Sequence, residues 1–166
     1  ASDGSREPLL TKGQKEGDTG GEALGHYFMS KVIGARGASA AAVAHAEQAL
    51  RYFRAEPNPL DLPLSLNRLA LELSEIGDYG QAHVLFEEVL GIWRANGNTS
   101  GALMTLANFG AMLWRIGQPE RALATFHESL GLAWERQGLV SCVEALVGIA
   151  AIAADVGWHT WVAGLL

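Results

Sequence analysis

Five histidines, one cysteine and 18 acidic side chains are the groups in this sequence that could hold a metal or move a proton. The histidines stand at His26, His45, His83, His127 and His159, and no two are four residues apart, so no single helix offers a paired-imidazole face with a glutamate between. Cys142 is alone, which excludes both an internal disulfide and a cysteine-rich zinc site from one chain; its apolar surroundings suit a small core residue. Glu87-Glu88 reads as a solvated helix face rather than an acid–base couple. No Gly-x-x-x-x-Gly-Lys-Ser/Thr loop occurs, and the glycines from Gly17 to Gly25 precede a helix with no strand before it. With no nucleophile elbow either, the chain reads as a non-enzyme without cofactor or metal.

What the elements must position is therefore a surface. A chain of 166 residues with 49% hydrophobic content can bury one domain-sized core. Twenty glycines against five prolines, among many alanines and leucines, suit close-packed helices joined by short turns, an all-α protein. The net charge of −6 opposes attraction to a phosphate backbone, so no direct nucleic-acid contact is expected. No run of about 18 apolar residues is free of polar breaks, and the polar, glycine-rich beginning is unlike a signal peptide. A soluble, cytoplasmic protein without membrane contact is the expectation.

The sequence repeats itself every 40 residues: Gly37, Gly77, Gly117 and Gly157 stand at that interval, each followed five positions on by Ala42, Ala82, Ala122 and Val162. Four positions further come Ala46, Phe86, Phe126 and Leu166, while upstream the pairs Met29-Ser30, Leu69-Ala70, Phe109-Gly110 and Ile149-Ala150 keep the same register. Leu50, Leu90 and Leu130 also align. Self-similarity at a fixed period marks a solenoid, in which each unit buries its apolar face only against its neighbours. The small residues Ser30, Ala70, Gly110 and Ala150 are expected where the first helix of a hairpin meets the second.

These positions resemble the tetratricopeptide repeat family, whose pattern sets a large residue before glycine in the first helix and Ala-x-x-x-Phe in the second. The resemblance implies a right-handed α-solenoid of antiparallel hairpins, and a period of 40 rather than about 34 residues implies its long-repeat branch. Asn108-Phe109-Gly110 is similar to that branch's Asn-Leu-Gly triplet, from which Arg68-Leu69-Ala70 and Phe28-Met29-Ser30 depart. Hairpins are expected at about 22–56, 61–96 and 99–137, with a truncated one at 139–166, which suggests a piece of a longer protein. Residues 1–21 read as a flexible leader or the remnant of an earlier repeat, since Leu10 aligns with Leu50 and Leu90.

Arrays of this family bind through the concave surface of their first helices, and the resemblance assigns that face to Tyr27, Lys31, Asn67, Arg68, Leu71, Met104, Asn108, Ala111, Trp114 and Arg115, continued by Glu144, Val147 and Ala151. Its mixture of cations, amides and apolar groups suits a protein or peptide partner. Trp93 and Trp134 are expected to pack at repeat junctions, whereas Trp158 and Trp161 on the truncated hairpin could drive a homodimer through an uncapped end. Segments such as Glu87-Glu88-Val89-Leu90, His127-Glu128-Ser129-Leu130 and the apolar stretch from Val143 to Ala151 resemble the C-terminal arrays of large bacterial LuxR-type and ATPase-type regulators. The resemblance implies a sensor or interaction module of such a protein. A stand-alone scaffold or chaperone-like adaptor is the alternative, and a helical enzyme a remote one.

Overall fold

The computed structural model describes residues 19–155. Seven helices follow one another without a strand among the described residues: α1 (Thr19–Ala35), α2 (Ser39–Ala55), α3 (Asp61–Glu75), α4 (Tyr79–Ala95), α5 (Thr99–Arg115), α6 (Pro119–Glu135) and α7 (Leu139–Asp155). The fold is an all-α solenoid of helical hairpins, in which α1–α2, α3–α4 and α5–α6 pair and α7 packs on α6.

One turn is used again and again. After α3, Gly77 takes a left-handed φ of 89°, its N–H donates to Ser74 O at 3.3 Å, and the Asp78 N–H donates to Leu73 O at 2.9 Å. This pair of bonds satisfies the carbonyls that a helix end leaves open, and it needs a residue that tolerates positive φ. Gly37, Gly97 and Gly117 repeat the conformation, and so does Gln137 at φ 55°, the one positive-φ position here that carries a side chain. The residue after the turn often caps the next helix: Asp78 accepts from Gln81 N at 3.1 Å and Asn98 from Gly101 N at 2.9 Å. Turns thus close both within and between hairpins, every 20 residues, except after α2. There Pro57 and Pro59 stop the helix, and Asn58 Oδ1 accepts from Leu60 N and Asp61 N to start α3.

Small residues stand where helices meet. Ala42, Ala82 and Ala122 are wholly buried, and Phe126 lies between two glycines. A Cβ on Gly110 would come within 2.9 Å of its ring, and one on Gly148 within 2.6 Å. Phe126 therefore rests on the bare backbones of α5 and α7, which only glycine permits. Ser30, Ala70 and Gly110 are buried as the repeat pattern requires, while Ala150 is exposed on α7.

The two tryptophans expected at junctions part company. Trp93 is 1% exposed and lies flat against Gly101 of the next hairpin, but Trp134 is 71% exposed. The 40-residue register gives the reason: Phe53, Trp93 and Ala133 share the buried position, and Trp134 falls in line with Arg54 and Arg94 on the outside. Cys142 is buried, as its setting suggested. The leader expected at 1–21 gives way to α1 from Thr19, and its earlier part, the second helix of the last hairpin and the dimer through Trp158 and Trp161 concern residues outside those described.

Candidate ligand-binding face

Curvature picks out a face. The backbones of successive first helices approach one another, α1 with α3, α3 with α5 and α5 with α7, whereas those of α2 and α4, and of α4 and α6, stay farther apart. The array accordingly bends with its first helices on the inner side, and their last turns are tied together by three polar or close-packed joints.

Between α1 and α3 the joint is buried. Glu72 is inaccessible to solvent, forms an ion pair with the Arg68 guanidinium one turn away, and presses on Gly34 of α1, where a Cβ would overlap its carboxylate. Burial pushes the Arg68 pKa below its ordinary value, with Tyr27 partly offsetting this. It also raises that of the Tyr27 phenol, an effect Arg68 opposes and Asp61 reinforces. Between α3 and α5, Arg115 Nη2 donates to Glu75 Oε1 at 2.7 Å and Nη1 to Ser74 O at 3.4 Å. The hydrogen bond to Glu75 raises the pKa of Arg115. Between α5 and α7, Trp114 Nε1 donates to Asp155 Oδ2 at 3.3 Å.

The residues assigned to this face fall into two groups. Lys31, Met104 and Ala111 are exposed, and Tyr27, Leu71 and Asn108 are half-buried, so these six leave atoms open to solvent on the first helices. Asn67 is only 6% exposed and Arg68, Trp114 and Arg115 are engaged in the joints just described. The joint residues Gly34, Glu72, Ser74, Glu75 and Asp155 escaped sequence reasoning. A signal existed for Gly34, which shares its register with Ser74 and Trp114. Glu144 and Val147 are exposed on α7, and Ala151 is half-buried there.

The stretch from α3 into α4 is similar to a known repeat. A tetratricopeptide repeat family model matches residues 64–95. The matched segment begins within the first helix of the second hairpin and ends with the last residue of α4, so the similarity covers one tetratricopeptide-type unit. Comparison with curated proteins gives no match. Repeats of the tetratricopeptide type serve as protein-interaction modules, and no group of three or more His, Cys, Asp or Glu that could hold a metal occurs among the described residues. None of the described helices is long and apolar enough to cross a membrane.

The outer side carries grooves of another origin. A groove of about 670 Å³ runs between α2 and α4 over Leu50, Leu69, Val84 and Leu85, and Arg54 reaches Glu88 at 2.9 Å across it. Forty residues on, Arg94 reaches Glu128 at 2.5 Å in the same way. Between α6 and α7 the groove recurs at about 490 Å³, with Trp134 where the arginines stood. Between α2 and α4, and between α4 and α6, the space left by the splay of the second helices is spanned by the protein's own ion pairs.

Proposed function

We propose that the chain is a non-catalytic protein- or peptide-binding module, and that it serves in the cytoplasm as the sensor or interaction region of a larger bacterial signalling or transcriptional regulator. The observation that carries the binding part is the inner face itself: Tyr27, Lys31, Leu71, Met104, Asn108 and Ala111 come from three successive first helices and leave an apolar strip with one amide and one cation. Such a strip suits a peptide whose apolar side chains lie along Leu71, Met104 and Ala111, whose backbone meets Asn108 and whose acidic group approaches Lys31. The three joints hold the first helices in fixed relation, so little ordering remains to be done when a ligand binds. Similarity to the C-terminal arrays of bacterial regulators supports the wider role.

The test is affinity capture from a bacterial lysate on the immobilised chain, using Lys31→Ala/Met104→Ala/Asn108→Ala beside an outer-face control, Arg51→Ala/Val84→Ala. All five side chains lie at the surface or half-buried, so both variants should keep the fold. A partner held by the wild type and the control should fall about tenfold or more with the inner-face variant, since a few central contacts dominate such interfaces. Retention of every partner by that variant would sink the assignment.

A further inference from the structure

In the first hairpin two imidazoles meet across the helix pair. His26 of α1 and His45 of α2 place their Nδ1 atoms 2.8 Å apart, with ring centroids at 5.0 Å and the rings inclined by 37°. They are 19 residues apart in sequence, which is why no ligand spacing revealed them. Both rings are half-buried, so water and small ions can reach the pair.

The repeat register shows that the pairing is a departure from plain packing. Position 26 is Leu66 in the second hairpin and Leu106 in the third, buried in both, and position 45 is Leu85 in the second and Thr125 in the third. The first hairpin carries metal-ligating side chains where the second joins its helices with leucine.

We propose that His26 and His45 form a bidentate site for a borderline divalent transition-metal ion of the copper(II) or nickel(II) class, which clamps α1 to α2. The distance supports the class. Two metal–imidazole bonds of about 2.0 Å meeting at about 90° span about 2.8 Å, the cis edge of a tetragonal site, whereas a tetrahedral ion would hold the nitrogens at about 3.3 Å. Among divalent ions, copper(II) binds nitrogen ligands most strongly. In the metal-free pair one Nδ1 donates to the other. When both bind the ion, that ring moves its proton from Nδ1 to Nε2, so no net proton is lost, and water completes the coordination.

The tag-free chain is titrated with copper(II) against free glycine as competitor, and ring resonances and the copper spectrum are followed. One equivalent should broaden His26 and His45 together, ahead of His83 and His127, and the spectrum should report two equatorial imidazoles. His26→Leu and His45→Leu, which install the residues of the second hairpin, should keep the helical circular dichroism and weaken that site about tenfold or more, because each removes one of two chelating arms. His127→Ala should leave it unchanged. Retained affinity in either leucine variant, a spectrum with one imidazole, or broadening led by another histidine would overturn the proposal. Should a leucine variant misfold, the ring resonances and the imidazole number of the wild type still decide it.

Discussion

Replacing Arg68 by alanine is expected to destabilise the array by about 3–5 kcal/mol, read from denaturant unfolding, because it leaves the fully buried Glu72 carboxylate without its cation. The Glu72 carboxylate lies under Gly34, so it cannot reach water without parting α1 from α3. Yet the pair itself need not be a net source of stability. The positions of Arg68 and Glu72 hold Asn108 and Met112 in the third hairpin, and Met112 is 1% exposed in an apolar core. Installing both residues at once, Arg68→Asn/Glu72→Met, is therefore expected to bring stability back to within about 1 kcal/mol of the wild type. Equal damage from the single and double variants would show that the pair acts through something other than charge compensation.

The second large effect separates the two tryptophans. Trp93→Ala should cost about 3–5 kcal/mol, since the indole fills the junction between α4 and α5 and rests on Gly101, whose Cβ would stand 2.4 Å from the ring. Trp134→Ala, one helix pair later, should change stability by no more than about 0.5 kcal/mol, because that side chain faces outward. Since each repeat is held only by its neighbours, the loss at Trp93 should also raise amide exchange in α4 and α5 more than in α1. A costly Trp134→Ala beside a mild Trp93→Ala would contradict the register.

That contrast shows what the sequence makes legible. Glycines and small residues recurring at 40-residue intervals give the hairpins, because a left-handed turn and a close helix crossing each demand a residue type that is visible on its own. Side-chain direction is less visible. Trp134 reads as a junction residue by type, and only strict register, with Arg54 and Arg94 as its equivalents, sends it outside. Asn67 reads as polar and open, but it is only 6% exposed. Glu72 with Arg68 looks like an exposed pair one turn apart until the bare Gly34 opposite brings α1 down on it. The His26–His45 contact depends on how two helices dock, a relation that no local spacing encodes.

These findings also refine how the inner face should be probed. Changing Asn67 or Arg115 would disturb packing or the joint to Glu75 together with any ligand contact. Ala111 avoids the difficulty, being exposed on α5 and outside all three joints. The most direct measurement is site-specific photo-crosslinking to a captured partner, with a photoreactive residue at Ala111 on the inner face or at Val84 in the outer groove. The account predicts covalent capture from position 111 and none above background from position 84. Capture from 84 with none from 111 would contradict it.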